Sequence, residues 1–105
     1  MRTMTIAVCV ALFAGVPAAL AAQAPAYKRD VPDSLLKTAK ITESRAAEIA
    51  QHHVPNGTIR NLELEREKGK LIYSFEIKVA GKAGITEVNV DAMTGHVGPL
   101  QHEKD

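Results

Sequence analysis

"NLELEREKGKLIYSFEIKV", Asn61 to Val79, alternates apolar and polar residues on both sides of one turn signal. Leu62 and Leu64 alternate with Glu63, Glu65 and Glu67. Leu71, Tyr73, Phe75, Ile77 and Val79 then alternate with Ile72, Ser74, Glu76 and Lys78. A period of two belongs to a strand with one buried face. Lys68-Gly69 lies between the two runs, and glycine adopts the positive φ that a two-residue hairpin turn requires. Such a turn pairs Glu67 with Lys70, Leu64 with Tyr73 and Leu62 with Phe75, so both apolar sets reach the same face. This hairpin decides the fold.

On the C-terminal side, Ala80 to Gly84 reads as a glycine-rich loop. A third strand follows over Ile85 to Asp91, with Val88 and Val90 inward. "DAMTG", Asp91 to Gly95, is read as a structural turn. Asp91 can accept backbone N–H bonds across it, Thr94 can add a hydroxyl bond, and Gly95 can take positive φ. A fourth strand is expected around His96 to Leu100, with Val97 opposite Val90. Gly98-Pro99 ends the pairing, because proline cannot donate to a ladder. A phosphate loop would need a helix N-terminus after the glycine, and His96-Val97-Gly98-Pro99 is not one. No cofactor is expected.

On the N-terminal side, "KITESRAAEIAQHHVPNG" predicts a helix. Thr42 suits the N-cap and Glu43 suits the positive helix end. Ala46, Ile49, Ala50 and His53 fall at i, i+3, i+4 and i+7, an apolar stripe one helix face wide. Pro55 stops the helix near His53, and Asn56-Gly57 supply the exit turn. The expected architecture is α+β: one helix on one face of a four-stranded antiparallel meander. Residues 22–40 read as a flexible lead-in, with a short helix over Pro32 to Ala39 that rests Leu35 and Leu36 on the domain. Residues 41–101 form the domain and 102–105 a disordered tail. A core from about 60 residues is marginal; a homodimer or the docked Leu35/Leu36 segment would supply further burial.

"MRTMTIAVCVALFAGVPAALAAQA" has the layout of a secretory signal peptide. It has one cation, an apolar run, a Gly15/Pro17 break and small residues, with cleavage expected after Ala21. The run is too short for a membrane span and Pro17 interrupts it, so no stable membrane insertion is expected after cleavage. The expected location is the periplasm or the exterior. Cys9 leaves with the signal, and removal of Arg2 leaves 12 Lys+Arg against 12 Asp+Glu. A neutral chain with interspersed charges has no footprint for nucleic acid or an anionic membrane.

The residues now on the page resemble the PepSY domain. They are the Ile41-Thr42-Glu43 helix start, Val54-Pro55-Asn56-Gly57, the glutamate-rich strand before Gly69-Lys70 and Tyr73, and Asp91-Ala92-x-Thr94-Gly95. The chain departs at Arg45, where the family commonly completes a capping box with an acidic residue. It departs again at His52-His53, where smaller residues are usual. The resemblance implies a module that binds and restrains a peptidase or another envelope protein, and defines no catalytic residue.

Chemistry within the chain is sparse. Nucleophilic catalysis needs a Ser, Cys or Thr beside a base and an orienting group. Ser34, Ser44 and Ser74 share no obvious locus with a histidine, so no catalytic residue is expected. The alternative to partner binding is a metal- or ligand-sensing module built on His53 and His96. No metal site is expected, because adjacent His52 and His53 point roughly 100° apart on a helix. Glu63, Glu65, Ser74 and Glu76 alternate outward with Ile72, the one apolar residue expected to be exposed there, and form the candidate partner-binding surface. Strands one and four are the expected edges. Pro99 blunts one, and the glutamates with Arg60 guard the other against casual strand addition.

Overall fold

The hairpin at the centre of the fold has the register its pattern demands. In the computed structural model, which describes residues 26–104, Glu67 pairs with Lys70, Leu64 with Tyr73 and Leu62 with Phe75. Lys68 and Gly69 both take positive φ at the turn, 52° and 81°. The expected signal peptide and its cleavage site lie outside the described residues.

The sheet has five strands in sequence order: β1 (Lys28–Asp30), β2 (Gly57–Glu67), β3 (Lys70–Val79), β4 (Ile85–Asp91) and β5 (Gln101–Glu103). Two helices accompany it among the described residues, α1 (Asp33–Leu36) and α2 (Glu43–His53). The core lies between α2 and the sheet. Tyr73, Phe75, Ile77, Leu62, Val88 and Val90 are fully buried against the small side chains of Ala46 and Ala50. Those two alanines let the helix axis approach the sheet closely enough to exclude water.

The sheet corrects the four-stranded expectation at both edges. The lead-in is partly ordered: β1 pairs in parallel with β2, Arg29 opposite Leu62. It stays in place because Arg29 and Tyr27 project onto the helix side and close on Glu43 in the first turn of α2. The Arg29 guanidinium donates from Nη2 to Glu43 Oε1 at 2.6 Å and from Nε to Oε2 at 3.1 Å. The Tyr27 hydroxyl donates to the same Oε2 at 3.0 Å. Burial and this bond to a carboxylate push the Tyr27 phenol up to about 12. α1 is shorter than expected and starts at Asp33, with Pro32 at its N-cap. Leu35 and Leu36 pack against the core.

At the other edge, the expected strand over His96 to Leu100 contracts to one bridge, Val90 to Val97. Pairing resumes only past Pro99, where Gln101–Glu103 lie along the start of β4. His102 and Glu103, expected in a disordered tail, therefore belong to the sheet. The outer strands are β1 and β5, not the meander's own first and last. Gly84, at φ 83°, makes this possible, because a Cβ there would collide with the Glu103 carbonyl.

The turn after β4 ties the two layers together. Asp91 Oδ1 accepts the N–H groups of Met93 at 2.8 Å and Thr94 at 3.1 Å, and Thr94 Oγ1 accepts that of His96 at 3.1 Å. Gly95 sits at φ 83°. The chain so shaped presents the buried Ala92 carbonyl to the N–H groups of Lys40 and Ile41, at 3.0 and 2.8 Å. The Tyr73 hydroxyl then donates to the Ile41 carbonyl at 2.7 Å. Thr42 follows as the N-cap, accepting from the Arg45 N–H at 3.1 Å. The turn and the central strand thus hold the start of α2 on the sheet.

Candidate partner-binding face

Helices cover one face of the sheet. The other face has no layer over it among the described residues, and register alone determines what it displays. Ser74 of β3 is flanked by Glu63 on β2 and Asn89 on β4; Ile72 is flanked by Glu65 and Asp91; Glu76 is flanked by Asn61 and Glu87. The outer strands extend the pattern, with Asp30 beside Glu63 and Glu103 beside Ile85. Short or uncharged side chains (Ile72, Ser74 and Asn89) therefore make a low central shelf with carboxylates around it.

The structure thus brings Glu63, Glu65, Ile72, Ser74 and Glu76 onto one surface. Glu63 is exposed and the other four are half-buried, so Ile72 is less open than its sequence position suggested. It lies between Glu65 and Asp91, and the Asp91 carboxylate is drawn back into the turn by the N–H groups of Met93 and Thr94.

Charges are segregated, which corrects the expectation of an interspersed surface. Most of the chain's 12 acidic residues lie on this face. The lysines that the register places with them are Lys28, Lys70 and Lys78. Lys78 does not neutralise a carboxylate: its ammonium donates to the Lys82 and Gly84 carbonyls at 2.6 and 3.2 Å. The two ion pairs among the described residues, Arg29–Glu43 and Arg45–Glu48, belong to the helix side. Crowding shows in the protonation of the face. Burial, then repulsion from Glu63 and Glu67, raises the Glu65 carboxyl above the ordinary glutamate value. Burial and Glu103 raise Glu87, helped by Glu76 and Glu67 and opposed by a bond from Asn89.

His53 and His96 join no group of three potential metal ligands among the described residues. His53 is exposed, and its Nδ1 lies 3.0 Å from the Ile49 carbonyl of its own helix. The inward stripe of α2 runs through Ala46 and Ala50 to Val54 instead. Val54, the C-cap residue that leaves helical geometry at φ −134°, carries the burial at this end, whereas His53, the last residue of the helix, is exposed. His96 is also exposed. No three His, Cys, Asp or Glu side chains are grouped to hold a metal ion among the described residues. No described helix is long and apolar enough to cross a membrane.

Sequence reasoning missed Asp30, Glu87 and Glu103 as members of the acidic face. Glu87 alternates with Val88 in a strand the sequence had located, so its outward direction was available. Asp30 and Glu103 needed the two edge pairings. A family model described as PepSY, peptidase propeptide and YPEB domain, matches residues 40–97, which leaves β1, α1 and β5 outside the match. Comparison with curated proteins and with solved structures gives no match.

Proposed function

Since the chain belongs to the PepSY family, whose domains are generally non-catalytic propeptide or regulatory modules, we propose that it is an exported, non-catalytic protein that binds and restrains a peptidase or another envelope protein. PepSY domains are typically extracytoplasmic, in keeping with the signal-like N-terminus. The surface that engages the partner is the open sheet face, with Glu63, Glu65, Ile72, Ser74 and Glu76 at its centre.

The observation that carries this reading is the one-sided layering. A two-layer α+β domain buries the helix side of its sheet and leaves the reverse as a broad, rigid, hydrogen-bonded platform. Side chains on such a platform are held by their strands, so little ordering is lost when a partner settles on it. The sheet edges serve this role less well, since β1 covers Asn61 to Glu63 and β5 covers Ile85 to Glu87. Each of these outer strands is only three residues long and carries no buried residue, so it offers a short, polar edge for strand addition.

The test is stoichiometric inhibition. Purified protein is titrated into the secreted and periplasmic peptidases of its source organism. Activity should fall linearly to a plateau near equimolar ratio for one of them, and Ser74→Arg should abolish the effect without lowering Tm. No slowing of any peptidase, together with no stable complex with an envelope protein, would refute the proposal.

A further inference from the structure

The open face is built to repel itself. Its carboxylates lie on adjacent strands and at alternate positions along them, where side chains stand about 5–7 Å apart. None of them is in an ion pair among the described residues. Unlike charge repulsion spread over a whole surface, this is confined to one side of a chain whose acidic and basic residues nearly balance. Such one-sided charge gives directional steering toward a partner of opposite sign.

Resting on the reading of this face as the binding surface, we propose that it docks a cationic protein surface, with a small or apolar residue seated on Ile72 and Ser74 and lysines or arginines on both sides. Three features fit this occupant. Glu63 and Glu76 flank Ser74 on different strands, so charge surrounds the shelf instead of forming one line. The shelf itself is low and uncharged, which leaves room for a side chain to descend to the sheet. Burial and then neighbouring carboxylates raise the Glu65 and Glu87 carboxyls, and a docked cation offsets the repulsive part of that shift.

Other occupants fit less well. An anionic lipid surface or a nucleic acid would meet repulsion from Glu63, Glu65, Glu76 and Glu87, which outnumber the cations beside the shelf. A second copy of this chain would have to offer cations. On the helix side, Arg29 and Arg45 are engaged with Glu43 and Glu48, which leaves the exposed Lys37 and Lys40 as the cations a second copy would bring, and the test reads self-association as a separate outcome.

The test uses a defined probe, a heptapeptide of lysines with a central leucine, with the corresponding glutamate peptide as control. It is titrated into the isotope-labelled protein while backbone amide shifts are followed. Shifts should centre on Ile72 to Glu76 and their neighbours on β2 and β4, and the glutamate peptide should cause none. Raising salt from about 50 mM to about 500 mM should weaken binding by about tenfold or more, as expected for exposed charges. Glu63→Gln/Glu76→Gln should weaken it by about tenfold relative to the off-face pair Asp33→Asn/Glu48→Gln, which removes the same charge. Equal losses from the two pairs would mean that affinity follows net charge, and would overturn the proposal. So would shifts centred on the helix side, or self-association that excludes the peptide. If the peptide fails while a peptidase is still inhibited, the cationic partner is refuted and the binding function stands. If both fail, the binding function is refuted as well.

Discussion

Replacing Tyr73 by phenylalanine removes one oxygen from the point where helix layer and sheet are joined. Tyr73 is fully buried in the centre of the core, and its ring lies 6.4 Å from that of Phe75. Its hydroxyl donates to the Ile41 carbonyl at 2.7 Å, one residue before the N-cap of α2. Tyr73→Phe keeps the ring packing and deletes only this bond. A bond of this kind contributes about 1–1.5 kcal/mol net, including the cost of leaving the carbonyl without its donor. For a domain of this size, that corresponds to a fall in Tm of roughly 4–12 °C.

Burial, with repulsion from Glu43, raises the Tyr73 phenol above its ordinary value of 10.0. A raised pKa means that the folded state favours the protonated donor. Its contribution is therefore complete below pH 10 and is lost only as pH rises through the higher folded value. Thermal and urea unfolding of the variant and the parent at pH 6 and pH 9 should show the same difference. An unchanged Tm would refute the assignment of this hydroxyl as the tie between the layers. A difference that vanished at pH 9 would refute the protonation argument.

Three further outcomes are expected. Glu87→Gln should raise Tm at pH 7 and have no effect below about pH 4, because a raised carboxyl favours folding only while protonated and that contribution is lost as pH rises above the ordinary value; a variant less stable than its parent at pH 7 would contradict the crowding of Glu87 by Glu103, Glu76 and Glu67. Arg29→Ala opens the bidentate pair with Glu43 and should lower stability by about 1 kcal/mol, given that the guanidinium is partly exposed, with amide exchange accelerating first in β1 and its partners Asn61 to Glu63. Asp91→Ala removes the acceptor for two backbone N–H groups and should cost about 1 kcal/mol, as loss of a helix N-cap does, while partner affinity is spared; a variant that melts like its parent but no longer binds would make Asp91 part of the interface.

The elements legible in the sequence were those whose signals agreed locally. Leu62 to Val79 combined alternation on both strands with a glycine at the only turn that aligns them. Thr42, the alanines and Pro55 delimited α2 in the same way. Where the sequence misled, a contact distant along the chain decided the outcome. Lys28-Arg29-Asp30 has no apolar residue and becomes a strand because Arg29 finds Glu43 14 positions later. Gln101-His102-Glu103 is equally polar, and it pairs because Gly84 lets the carbonyl of Glu103 come close.

The candidate face divides along the same line. Its Glu63/Glu65/Glu67 row was visible as alternation. Its extension across five strands, and the absence of ion pairs on it among the described residues, required the tertiary structure. His53 was placed on the buried stripe by its spacing from Ala46. His53 is the last residue of α2, and the burial at that end passes to Val54, whose non-helical C-cap conformation no helical spacing could have signalled.

The central claim is that the uncovered sheet face is the surface this PepSY protein presents to its partner. A photo-crosslinking benzophenone amino acid placed at Ser74, and separately at Glu48 on the helix side, tests it in the living source organism. A single discrete adduct is expected from position 74, containing a peptidase or another envelope protein, and none from position 48. An adduct from position 48 with none from position 74 would contradict it.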